Sequence, residues 1–394
     1  MSLYLKKTDL NTLFIYLLLI ISFFSYEHGL KTNYYQLMLV SIMFLGVILL
    51  LINLNDNKIF SLYVRNFKKS IEVNILSITL VFVTLISSIK YGMVTFPGLV
   101  KVLGTILSLY IFYLFIPIII YNDLDNKIKK LVNITTFFSL IAIFIAIKGD
   151  FLGYTLRYQR SASIFFDPNY FGTIASIGFI LSINHRGKYK IYALINLLAL
   201  YFSGSRAAMI ALFFVMLTFF LYNQKINFKV ILKLLLLVLS IVFLILFLWN
   251  KDFFRIYQGL NSRDKLWIAS FKMISNEPIW GYGYGTLTKL LNSYGFQWAS
   301  FHNSYLDYIT MYGIPTWIIY MLIIFKATLL GIKNKIPKEI TESIIFLLIV
   351  ANSISINLGG LGALSLLLTL FLGLSNISSY RDAYELNIKK QKNC

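Results

Sequence analysis

Apolar runs long enough to cross a bilayer recur from Leu10 almost to the end of the chain, parted by short polar stretches rich in lysine. By the length needed to span hydrocarbon they predict about twelve transmembrane helices. These fall over 10–26, 34–52, 71–89, 97–121, 131–147, 170–183, 189–203, 205–222, 229–249, 304–330, 340–357 and 360–378. One interval breaks the rhythm. Residues 250–303 are polar and aromatic, far longer than a connection needs and too aromatic for a disordered segment. The expected architecture is therefore an all-α polytopic membrane protein, a single transmembrane domain over 1–394, with 250–303 as an extracytoplasmic loop between the ninth and tenth spans.

Composition agrees with this pattern. Hydrophobic residues make up 58% and charged residues 13%, with mean hydropathy +0.74, whereas soluble domains are nearer half and a quarter. A net charge of +20 would suggest nucleic acid in a soluble protein. Here the cations sit in alternate loops: Lys6 and Lys7; Lys58, Arg65, Lys68 and Lys69; Lys127, Lys129 and Lys130; Arg186, Lys188 and Lys190; Lys333, Lys335 and Lys338. That is the bias of cytoplasmic loops, so both termini are expected in the cytoplasm and no nucleic-acid partner is implied. The segment after Lys7 has no small-residue cleavage pattern and reads as a retained first span. Cys394 is the one cysteine, which leaves no internal disulfide and no cysteine-based metal site.

The opposite loops hold the candidate chemistry. Arg157 and Arg160 precede Asp167-Pro168-Asn169, where aspartate can cap a helix and proline suits its first turn. They suit either lipid-phosphate snorkelling or an anionic substrate. Ser203-Gly204-Ser205-Arg206 interrupts a run that is otherwise apolar from Ile191 to Tyr222. An arginine so placed is a functional hypothesis by default, and a helix N-terminus beside it already favours an anion. Ser262-Arg263-Asp264 opens an amphipathic run that ends before Pro278. Tyr282 and Tyr284, set among Gly281, Gly283 and Gly285, suit stacking on sugar faces. His302-Asn303 stands where the chain re-enters the membrane, with Tyr305 behind. His302 is the candidate base, and Glu27, in the first outward loop, is the alternative. Asp123-Leu124-Asp125 copies a metal-binding pattern but lies in a lysine-rich turn and reads as solvated. No metal or other cofactor is expected.

Cations at three breaks beside an imidazole suit a departing diphosphate and an attacking sugar hydroxyl. The ordered motifs, namely Asp167-Pro168-Asn169, Ser203 to Ala208, Arg263 with Trp267, Pro278 to Gly283, and His302 to Leu306 with Gly313, resemble the O-antigen ligase and Wzy-type polymerase family over residues 150–320. The resemblance implies a GT-C-like helical fold in the bacterial inner membrane, its active site facing the periplasm and its chemistry independent of metal. It implies undecaprenyl-diphosphate-linked glycans as donor and acceptor, with a chain-length regulator and a flippase as further partners. By it, Arg206 and Arg263 contact diphosphate, His302 activates or orients the acceptor hydroxyl, and Arg157 or Arg160 adds to substrate binding; Asn303, Tyr305, Tyr282 and Tyr284 are further candidate substrate-binding residues. Polymerisation of repeat units into O-antigen or capsular polysaccharide is the favoured activity, and ligation to lipid A-core the alternative. The rival from another class is a polysaccharide flippase, but transporters are usually built from repeated halves and none is visible here.

Overall fold

The computed structural model describes residues 7–24, 32–91, 96–222, 263–283, 287–297, 300–333 and 336–392. Glu27, Tyr284, Gly285, Ser262 and the expected span 229–249 lie outside them. The described chain is helical almost throughout: α1 (Lys7–Phe24), α2 (Thr32–Leu54), α3 (Asn57–Lys69), α4 (Ile71–Tyr91), α5 (Phe96–Ser108), a π-helical segment (Leu109–Phe115), α6 (Ile116–Ile120) and α7 (Leu124–Lys148). After two short strands come α8 (Pro168–Ile183), α9 (Lys188–Ser203), α10 (Arg206–Tyr222), α11 (Arg263–Asn276), α12 (Leu287–Ser293), α13 (Ser304–Lys333), α14 (Lys338–Val350) and α15 (Ala363–Lys392).

Among the described residues, four stretches are long and apolar enough to cross a membrane: Leu37–Leu54, Ile71–Tyr91, Lys101–Lys148 and Ser304–Lys333. Shorter apolar helices cover Leu10–Phe24, Pro168–Ile183, Arg206–Thr218 and Ala363–Ile377. The third stretch would measure about 70 Å if straight, more than twice the hydrocarbon thickness. It is divided at a 3₁₀ turn, Tyr121–Asp123, where Asp123 leaves helical geometry at φ −126° and ψ 31°. The fold is thus an all-α membrane protein.

The bundle holds itself together with small residues and polar side chains, as expected where lipid is as apolar as leucine. α7, α8 and α9 pack on one another. Behind Gly178, where a Cβ would lie 2.5 Å from both Asn196 and Thr135, Asn196 accepts from Ser139 (2.8 Å) and donates to Thr136 (2.9 Å). This lock fixes α8 against two neighbours. Pairing of Asn11 with Asn53 through two reciprocal amide bonds (2.7 and 2.8 Å) does the same for α1 and α2.

Several elements differ from the sequence expectation. Residues 57–69, expected as a loop, form α3, because Asp56 caps Lys58 and Ile59 (3.0 and 3.4 Å) and apolar residues recur on one face. The expected span 340–357 ends as a helix at Val350; the polar run Asn352, Ser353 and Ser355 follows it in a turn. Residues 149–160 form two tight hairpins. Leu152-Gly153 turns the first between paired Phe151 and Tyr154, and Tyr158-Gln159 turns the second between bridged Arg157 and Arg160. All four turn residues have positive φ, the requirement of a type I′ turn.

Candidate active site

α7 delivers the chain to one end of the bundle, α8 leaves from it, α9 returns to it and α10 departs again. The turns at 149–167 and 203–206 are therefore neighbours. Arg160 joins them. It is 2% exposed, its Nε donates to the Ser203 carbonyl (2.6 Å) and its guanidinium to Asn169 Oδ1 (2.8 Å). Ser161 N–H adds a bond to the Phe202 carbonyl (3.0 Å). Asp167 caps α8 by accepting from Asn169 N–H (2.6 Å), with Pro168 in the first turn, as its sequence predicts. Gly204 ends α9 in the left-handed region at φ 55°, freeing Arg206 to begin α10. Ser203 Oγ accepts from Ser205 N–H (3.2 Å), so of the two serines it is Ser203 that bonds the turn.

The second half of the site comes from the long loop. α11 buries Leu266, Ala269, Ser270 and Met273, and Leu266 and Met273 share a small core with Leu287, Leu291 and Phe301. Trp267 Nε1 donates to the Phe301 carbonyl (3.2 Å), which docks α11 on the residue before His302. Arg263 stands four positions before Trp267, on the same helix face, and so is brought to His302. The electrostatics agree. Burial, then the Arg263 guanidinium, hold the His302 imidazole below its ordinary value, while Asp167 acts in the opposite direction. One imidazole therefore lies under the influence of the α11 cation and of the α8 cap.

His302 is half-buried and has φ 52°, a conformation a non-glycine side chain holds only when its surroundings impose it. Here they do. Ser300 Oγ accepts from His302 N–H (3.3 Å). Asp307 reaches back to the Phe301 N–H (2.8 Å) and accepts from Ser355 (2.6 Å). Asn303 caps α13 through Tyr305 and Leu306 N–H (3.0 and 3.2 Å). Ser304 N–H donates to Ala351 (2.8 Å), and its hydroxyl donates to the Ile354 carbonyl (2.8 Å) and accepts from Ile356 N–H (2.5 Å). The corner bearing His302 is thereby fastened to the end of α14. α14 packs against α10 and α8; its last residue, Val350, and the first of α10, Arg206, belong to the same end of the bundle.

The predicted substrate-binding residues divide. Arg157 lies half-buried, donating to the Phe166 carbonyl and lying 5.8 Å from the Tyr158 ring. Arg160 and Asn303 are buried and engaged with the framework. The Tyr305 hydroxyl donates to the Leu348 carbonyl (2.9 Å). Tyr282 packs on Tyr91 at 5.4 Å, and burial pushes its hydroxyl up. The glycine run 278–283 lies along α13: Tyr282 and Gly283 N–H donate to Thr310 and Met311 (3.0 and 2.8 Å), and Ile314 N–H to Pro278 (2.8 Å). Gly313, at φ 75°, permits that contact, since a Cβ there would lie 1.9 Å from the Ile279 carbonyl. Asp307 and Ser355 were not singled out among the sequence candidates, although a carboxylate within an apolar span is itself a signal. Among the described residues no group of three His, Cys, Asp or Glu side chains could hold a metal ion.

A helical membrane protein here brings arginines, a helix-capping aspartate and a lowered imidazole to one end of its bundle. Residues 191–321 match the family model described as O-antigen ligase. That match covers about a third of the chain and includes Arg206, Arg263 and His302. No curated protein sequence matches the chain.

Proposed function

We propose that the protein transfers glycan from a polyprenyl-diphosphate carrier to a sugar hydroxyl, and that it acts as a polymerase of lipid-linked repeat units. The acceptor oxygen attacks the anomeric carbon, the bond from that carbon to the diphosphate oxygen breaks, and the diphosphate leaves with the electron pair. His302 takes the hydroxyl proton. Arg206 and Arg263 balance the charge that grows on the departing group, where a guanidinium fork can bind two phosphate oxygens at once. The observation that carries this reading is the placement of Arg263 and Asp167 about a half-buried imidazole held neutral near pH 7. A neutral imidazole is the form a base requires.

The lysine-rich end of the bundle is the cytoplasmic one in this reading, which turns His302 to the outer face. Transfer to lipid A-core is the second reading, favoured by the name of the matched family. Purified protein supplied with lipid-linked repeat units, with and without chelator, separates the possibilities. A chelator-insensitive ladder of longer products is expected. Single transfer to added lipid A-core replaces polymerase by ligase, and movement of substrate without bond formation removes the enzyme reading altogether. His302→Ala is expected to abolish the ladder with the protein still in the membrane.

A further inference from the structure

α3 joins two helices that contain membrane-crossing stretches, following the end of α2 at Leu54 and preceding the start of α4 at Ile71. Its corners are short. A thirteen-residue helix so tethered lies at the level of the span ends, where lipid headgroups are found. One face is anchored to the bundle: Asn66 donates to the Leu114 carbonyl (2.8 Å), Tyr63 meets the Phe115 ring edge-on at 5.8 Å, and Phe67 stacks on Tyr110 at 5.8 Å.

The remaining face is an open groove of about 430 Å³ lined by Phe60, Ser61, Val64, Arg65, Lys68 and Lys69. Ser61, Arg65 and Lys68 follow helical spacing. Phe60 is 49% exposed. Among the described residues neither Arg65 nor Lys68 takes part in an ion pair, and no carboxylate lines the groove. Cations at the mouth and apolar surface beside them, at headgroup depth, match an acyl lipid with a negative headgroup.

We propose that this groove binds an anionic phospholipid of the surrounding bilayer, its phosphate on Arg65 and Lys68 and its acyl chain along Phe60 and Val64. The inference rests on the membrane character of the chain and is independent of the transferase reading, since the site lies at the opposite end from His302. Each cation near an anionic lipid surface contributes about fivefold in binding, so two contribute roughly thirtyfold.

The test is native mass spectrometry of the full chain released from phosphatidylcholine nanodiscs doped with phosphatidylglycerol. Wild type is expected to retain phosphatidylglycerol in preference to phosphatidylcholine. R65Q/K68Q is expected to lose that preference, by roughly thirtyfold, with an unchanged melting temperature. K188Q/K190Q, which removes the same charge elsewhere, is expected to keep it. Retention undiminished in R65Q/K68Q, or diminished equally in K188Q/K190Q, overturns the proposal. Displacement of the bound phospholipid by polyprenyl diphosphate at lower concentration than by phosphatidylglycerol itself also overturns it, giving the groove to a different lipid.

Discussion

Asp307→Ala is the perturbation that separates a positioned His302 from one that merely lies nearby. The carboxyl of Asp307 is 2% exposed and accepts from the Phe301 N–H and the Ser355 hydroxyl. Removing it strands one buried and one partly buried donor, at about 1–3 kcal/mol each, or at most roughly 2–6 kcal/mol together. That matches or surpasses the roughly 1–3 kcal/mol stored in a non-glycine residue at positive φ, so the corner relaxes and carries the imidazole with it. A displacement near 1 Å costs about a hundredfold in rate. Steady-state extension of lipid-linked repeat units should show kcat lowered about a hundredfold with KM changed much less, alongside a reduced melting temperature. Asp307→Asn retains an acceptor for Phe301 and a donor for Ser355, and should recover kcat to within about fivefold of wild type, since a conserved hydrogen-bond pair holds most of the net worth of the original. If Asp307→Ala turns over within twofold of wild type, the corner does not position the base.

Three further outcomes follow. Asp167 raises the His302 value against the lowering by burial and Arg263. Asp167→Asn, which keeps the α8 cap, should therefore let the base stay neutral to lower pH and move the acid limb of the pH–rate profile downward. An unchanged or upward limb contradicts the placement. Gly313→Ala puts a Cβ against the Ile279 carbonyl at positive φ and should destabilise the protein by on the order of 3 kcal/mol or more, read as a lowered Tm. Arg160→Met removes two charge-assisted bonds, worth roughly 3–6 kcal/mol. It should lower Tm and activity together, whereas a residue that only touches substrate would leave Tm unchanged.

Much of the frame was legible because membrane spans and helix caps are written locally. The helices from 168, 188 and 206 begin and end within a few residues of the apolar runs that predict them, and Asp167-Pro168 and Gly204 mark their ends by chemistry that needs no partner. α3 was hidden because its lysines read as loop charge, while its inward residues Asn66, Tyr63 and Phe67 meet Leu114, Phe115 and Tyr110, distant in sequence. The same holds for Tyr305 and Arg160. Their residue types suit a ligand as well as a framework, and only the carbonyls of Leu348 and Ser203 decide what they touch. The hairpin at 157–160 lacks the Asn-Gly signature its turn prefers, so no local rule announces it. His302 stood out by type, but its companion Asp307 acts through a backbone amide six residues away, which spacing alone does not reveal.

The account stands on Arg206 and Arg263 serving one phosphate site from two separate elements. The most direct measurement is a double-mutant cycle: the affinity of polyprenyl diphosphate for wild type, Arg206→Gln, Arg263→Gln and the double variant in nanodiscs. A shared site predicts that both single variants weaken binding and that the second substitution costs far less once the first is made, a coupling of about 1 kcal/mol or more. Fully additive losses, or a single variant that binds as wild type does, would contradict it.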